Sequence, residues 1–258
     1  MKILKFITIC TILLCTSVVA CNDSTVNLEP IGATEASFLQ NEEQMTMAVF
    51  GIYAKLTWFY NRGDAGGNTL QSIWLLPSDD LATPGSASTE IFSTLNGADS
   101  KLSRYYTLAY QLISRANIVL QKIEEQGSSV YDADSDLDNY HRGEALFLRS
   151  LMYFKLWNIF GTAPLVTERI TNLDDAYPAN STGTQLLDQA ITDLTEASAL
   201  LPEAWDPENV GRATRNSAWG LLGKCLVYRG TVNGTQADFA AAITAFDAIT
   251  ASLAPHFN

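Results

Sequence analysis

Apolar residues recur at three- and four-residue steps through most of the chain, the pattern of helices that each bury one face. It predicts a first helix over about Thr34 to Tyr60, carried by Phe38, Met45, Val49, Ile52 and Leu56 and capped by Thr34. A second runs from Leu102 to Glu125 on Leu102, Tyr105, Ala109, Leu112, Ala116, Val119 and Ile123, with Gly127 placed to stop it. A third spans about Ser135 to Phe160, closed by Gly161 and Pro164. Between Ala145 and Phe154 its apolar residues occupy nearly the whole circumference, so it belongs in the interior, covered on several sides. Three amphipathic helices follow: Thr182 to Leu201, ended by Pro202; Thr214 to Arg229, ended by Gly230; and Gln236 to Leu253.

Helices of similar length in succession, with Ala145, Ala190 and Ala218 at close-packing positions, predict stacked helix pairs. The fold class expected is all-α, with tetratricopeptide-like helical-repeat packing and long irregular loops; the strict tetratricopeptide signature is not matched. The longest loop, Asn61 to Ser100, is rich in Gly, Ser, Thr and Asp and is interrupted by Ile73-Trp74-Leu75-Leu76. Loops of that length in a compact protein tend to carry function. Trp58, Tyr60, Arg62, Trp74, Asp79 and Asp80 are the residue types of a sugar platform: rings stack on the apolar face of a sugar while charged groups bond its hydroxyl rim. The plainer and favoured expectation is that Trp58 and Trp74 seal the core at helix or loop ends while Asp79 and Asp80 cap a turn.

Asp132, Asp134, Asp136 and Asp138 alternate as at the start of a calcium loop, where carboxylates converge on a hard cation. The run departs from an EF-hand at its sixth and twelfth positions, Leu137 and Gly143. The favoured reading is a solvated acidic loop whose last Asp residues suit the N-terminus of the third helix. The two histidines, His141 and His256, accompany no metal-spacing cluster and no nucleophile elbow, and His141 is expected at the surface or in a capping role. No pair of carboxylates stands out as a glycosidase pair. The expectation is a binding protein without enzymatic activity or an obligatory cofactor, calcium being the only candidate ion.

The N-terminus sets the compartment. Lys2 and Lys5 precede an uncharged apolar run, Phe6 to Ala20, too short for a spanning helix, and Val18-Val19-Ala20-Cys21 then gives way to Asn22-Asp23-Ser24. This is the pattern of a lipoprotein signal, with residues 1–20 removed and Cys21 acylated. Several acyl chains hold a protein on a membrane where one does not. Cys10 and Cys15 leave with the signal, so Cys225 has no partner and is expected as a small buried thiol. The chain carries 28 acidic and 16 basic residues. Loss of Lys2 and Lys5 takes its net charge from −12 to −14, which argues against nucleic acid or anionic lipid as a ligand.

Four segments, in order, resemble the SusD/RagB outer-membrane nutrient-binding lipoproteins of Bacteroidetes. They are the lipoprotein start with Leu28-Glu29-Pro30; Tyr110 to Ile123 with its Ala116-Asn117 pair; Gly143 to Phe154 continuing to Phe160-Gly161 and Pro164 to Val166; and Gly211-Arg212-Ala213-Thr214 running on to Tyr228. These motifs are mostly scaffold: Glu144 and Arg149 are expected to pair with backbone or with each other near the helix surface, and Gly211 to Thr214 to form a cap.

The resemblance implies a signal over 1–20, a tether over 21–33 and a helical domain over 34–258, truncated, with a more irregular C-terminal part of a longer protein missing; the chain alone is expected to be poorly soluble. It implies a protein anchored by lipid in the cell outer membrane and exposed at the surface. Nutrients, glycans or oligosaccharides first, would be captured for a SusC-like TonB-dependent outer-membrane transporter. A peptide ligand, or a purely structural helical-repeat adaptor, stays open as an alternative.

Overall fold

The computed structural model describes residues 38–61, 73–74 and 100–253. The helices seen there all fall in the compact unit that begins at Leu39, and among the described residues there is no named strand. They are α1 (Glu42–Asn61), α2 (Ser100–Val130), α3 (Leu137–Phe160), α4 (Gln185–Leu200), α5 (Arg215–Asn233) and α6 (Gln236–Leu253), with a short 3₁₀ turn at Leu173–Asp175. None of the helices is long and apolar enough to cross a membrane, among the described residues.

Each helix packs on the next in sequence, and α3 also touches α1 and α5. The all-round apolar pattern of α3 explains its central place: Ala145, Leu146, Leu148, Met152, Tyr153, Phe154 and Leu156 are all buried, on every side of the helix. The expected all-α, helix-on-helix repeat architecture is what the chain adopts. Arg229 fastens the last three helices, its guanidinium donating to Asp188 of α4 and to both carboxylate oxygens of Asp238 of α6. Cys225 is a buried free thiol, as its apolar neighbours require, and burial pushes its pKa up to about 12.

Element boundaries differ from the periodicity at three places, each for a local reason. The first helix starts at Glu42 and not near Thr34, which lies outside the described residues. Asn41 accepts from the Gln44 N–H while the Gln44 side chain accepts from the Gln40 N–H, so the orphan donors of the first turn are met there. Gly127 does not stop α2, whose bonding runs on to Tyr131 N–H donating to the Gly127 carbonyl. Glycine costs a helix about 1 kcal/mol but does not break it. Gly230 likewise lies inside α5, and Gly234 (φ +65°) is the true left-handed cap. The value of Gly230 is its missing side chain: a Cβ there would sit 3.0 Å from Asp238 Cβ and 3.2 Å from the Thr235 carbonyl oxygen.

Gly143 has the same role between α3 and the end of α4. A Cβ added there would lie 2.9 and 3.1 Å from Leu201 Cγ and Cδ2 and 3.3 Å from Leu200 Cβ, and Leu201 is fully buried. Helix propensity alone favours Gly→Ala by about 1 kcal/mol, whereas overpacking a closed core costs roughly 1–3 kcal/mol. Gly143→Ala is therefore expected to destabilise by about 1 kcal/mol. Urea denaturation measures it, and a stabilised variant would show that the α3–α4 contact yields freely.

Candidate functional site

One end of the helix array gathers aromatic rings around a lysine. The C-terminal turns of α1 bring Phe59 and Tyr60, the first turns of α2 bring Tyr105 and Tyr106, and the last turn of α3 brings Lys155 and Phe160. Phe59 is buried and touches Tyr60 edge-on at 5.3 Å and Tyr105 at 4.6 Å between ring centroids. Phe160 meets Tyr105 and Tyr106 edge-on at 6.2 and 5.7 Å. Trp74 reaches this group from the loop: its indole N–H donates to the Tyr105 hydroxyl at 3.3 Å, and that hydroxyl donates to the Lys155 carbonyl at 3.3 Å.

The Lys155 ammonium lies 3.9 Å from the Trp74 ring centroid and 5.6 Å from that of Tyr60. Burial, helped by the nearby Lys224 charge, lowers its pKa to about 8. Burial raises the pKa of the Tyr60 phenol. Tyr60 and Trp74 both stay half-buried, so each keeps a ring edge or face open while its other side is packed.

The residues singled out in the sequence divide accordingly. Tyr60 and Trp74 come together, joined by Lys155. Trp58 does not join them; it is 38% exposed on another face of α1, with the Lys55 ammonium 5.9 Å from its ring. Lys55 itself lines an open groove along α1 and α2 with Tyr106, Tyr110, Gln111 and Arg115, and Trp58 is not part of that lining. Arg62, Asp79 and Asp80 lie outside the described residues. Asp132, Asp134 and Asp136 point into solvent. Asp138 bonds the next backbone N–H, and no three His, Cys, Asp or Glu side chains among the described residues are placed to hold a metal ion. The alternating run is a solvated turn into α3.

Three polar residues of α3 sit differently from the expectation. Glu144 and Arg149 are neither at the surface nor paired with each other. Glu144 is fully buried and takes two bonds from Arg212, at 2.9 and 2.6 Å, plus the Tyr53 hydroxyl at 2.9 Å; burial raises its pKa against the pull of Arg212. The Arg212 guanidinium also stacks 3.8 Å from the Trp205 ring centroid. Arg149 meets Asp193 of α4 in a two-pronged pair at 2.7 and 2.8 Å and also donates to Asn117 and the Thr167 carbonyl. Asn117 in turn donates to the Val166 and Glu168 carbonyls, so this network pins the extended segment after α3 against α2. A polar cleft of about 560 Å³ opens over it. His141, expected at the surface, is fully buried between Thr46 (3.2 Å) and Tyr131 (2.9 Å).

The motif residues are thus structural locks, which explains why they mark a fold and no ligand. The family described as "Starch-binding associating with outer membrane", SusD-like, matches residues 69–228. A SusD-like protein of Bacteroides ovatus is 26% identical over 222 residues, covering 85% of this chain and 39% of its own length. A SusD superfamily structure from Bacteroides vulgatus superposes with a TM-score of 0.68 at 25% identity, covering 83% of this chain and 44% of that one. A laminarin-binding SusD-like protein superposes with a TM-score of 0.66 at 28% identity, over 79% of this chain and 42% of that one. The chain therefore spans about two fifths of the length of these relatives. With helix order, packing and buried locks in accord, the chain belongs to the SusD-like family.

Proposed function

We propose that this chain is the helical part of a glycan-binding lipoprotein of the outer membrane, held there by acyl chains on Cys21 once residues 1–20 are removed. Residues 21–33 are the tether and 34–258 the helical domain. It presents captured oligosaccharide to a SusC-like TonB-dependent transporter and performs no catalysis itself. Membership of a family described as starch-binding and outer-membrane-associated carries this reading, and a laminarin-binding relative of the same fold supports it.

The half-exposed rings of Tyr60 and Trp74 at the Lys155 end are the sugar-stacking surface in this proposal, with Trp58 as a second contact. A sugar ring presents a C–H face that an indole covers well, while tyrosine hydroxyls and the lysine ammonium bond its rim.

The test has two arms. Full-length protein is pulled from outer membranes to see whether a large TonB-dependent barrel comes with it in near-equal amount, and it is screened against glycan arrays and peptide pools. Trp74→Ala is expected to weaken oligosaccharide binding about tenfold, or about 1.4 kcal/mol, with the fold retained. Peptide capture without glycan capture would replace the ligand class, and purification without a barrel would leave only an adaptor role.

A further inference from the structure

The charge around Lys155 is not balanced. The chain carries 28 acidic against 16 basic residues, and its arginines take oxygen partners: Arg142 on Glu196, Arg149 on Asp193, Arg212 on Glu144, Arg215 on Glu203 and Arg229 on Asp188 and Asp238. Lys155 and Lys224 have no such partner among the described residues. Lys155 rests on Trp74 and Tyr60, and Lys224 lies 5.2 Å from the Phe154 ring centroid. Among the described residues, the groups facing Lys155 from the surrounding elements are Tyr60 of α1, Trp74, Tyr105 of α2 and Lys224 of α5, and none of these is a carboxylate.

One turn on from Lys155, the side-chain amide nitrogen of Asn158 is buried without an acceptor. Residues three apart share a helix face, so Asn158 lies on the same side of α3 as Lys155. A ring face holds a cation more weakly than a charge-assisted bond from a carboxylate or sulfate does in a half-buried site. Burial and the nearby Lys224 charge lower the affinity of Lys155 for protons, and with both ammonium groups packed against rings and no anion beside them among the described residues, this end of α3 is complementary to a negative group.

We infer that the Tyr60–Trp74–Lys155 site, with Lys224 beside it, takes an acidic sugar, a uronate or a sulfated residue whose ring stacks on the aromatic surface while its anionic group lies between the two lysines. The inference rests on the glycan-binding reading above and names the class of glycan. It also fits the acidity of the chain as a whole, which would repel an anionic polymer elsewhere and favour approach to a cationic patch.

Isothermal titration of the full-length protein with oligogalacturonate, sulfated laminarin and neutral laminarin fragments of equal length tests it. One of the two acidic probes is expected to bind about tenfold tighter than the neutral one, an advantage that shrinks as salt is raised. Which acidic probe wins distinguishes carboxylate from sulfate. Lys155→Gln and, separately, the exposed Lys224→Gln are expected to reduce that advantage several-fold, and Lys224→Gln leaves neutral binding within about twofold; Lys155→Arg retains most of the advantage. Equal affinity for neutral and acidic probes, or an acidic preference untouched by both lysine variants, overturns the inference while leaving glycan binding standing. Failure of all three probes together with peptide capture overturns both.

Discussion

Asp193→Ala is expected to cost about 3–5 kcal/mol of folding stability, the largest single effect of any substitution away from the aromatic end. The pair it breaks is nearly inaccessible, with the Arg149 and Asp193 side chains 7% and 3% exposed. Removing the carboxylate leaves a guanidinium that cannot lose its proton, nearly buried at the floor of the polar cleft between α2, α3 and α4. Asn117 and the Thr167 carbonyl still accept from it, but neither carries charge. Gln189, which donates to Asp193 at 2.8 Å, also loses its acceptor. The loss reaches further than one bond, because the same guanidinium holds the segment at Thr167 against α2. Urea denaturation of the variant measures the cost. The double variant Arg149→Met with Asp193→Leu is expected to be more stable than Asp193→Ala alone, since no charge is then buried unpaired. A single variant within about 1 kcal/mol of the parent would show that water reaches the guanidinium and that the pair is not a lock.

The contrast between what periodicity anticipates and what it misses follows from the range of the interactions. The interior place of α3 was legible because burial on every side leaves apolar residues on every side, a property of one segment read alone. The same reasoning finds α2 and α6 within a few residues. It fails at Glu144, Arg149 and His141, since their burial depends on Arg212, Asp193 and Thr46, which lie 68, 44 and 95 residues away along the chain. A charged residue inside an otherwise apolar run is itself a signal: with no water to solvate it, it must have a partner from another element. Gly143 and Gly230 are equally opaque locally, because their meaning is the approach of a second helix.

At the aromatic end, residue type brought Tyr60 and Trp74 forward, and the fold places them together. Lys155 was missed, although it interrupts the apolar circumference of α3 in the same way as Arg149 does. Unlike Arg149 it finds rings and no carboxylate among the described residues, and only the three-dimensional arrangement separates the two cations.

Stability is expected to fall as pH drops from about 6.5 towards 4, through His141. Its imidazole is buried, and burial, reinforced by the Arg212 charge, lowers its pKa from 6.5 to about 4, while Glu42 opposes weakly. The unfolded chain takes up this proton below about 6.5 whereas the folded one refuses it until about 4. The unfolded state thus binds more protons across that window, and stability rises with pH there. The contribution is complete above the unfolded value and amounts to about 3 kcal/mol, lost progressively towards pH 4. Glu144 works in the opposite sense: its pKa is raised by burial, so the folded state binds the extra proton and stability gains as pH falls through its own range. That gain opposes the His141 loss, and the Arg212 bonds, which favour the charged carboxylate, limit it. Urea midpoints across this range, with and without His141→Gln, separate the two. Glutamine keeps a donor and an acceptor near Thr46 and Tyr131 but has no proton to gain. The parent should lose stability steeply between pH 6.5 and 4, and the variant should lose about 3 kcal/mol less over the same interval. Parallel profiles for the two proteins would mean that the imidazole is reached by water on α3's flank and titrates as it does in the unfolded chain.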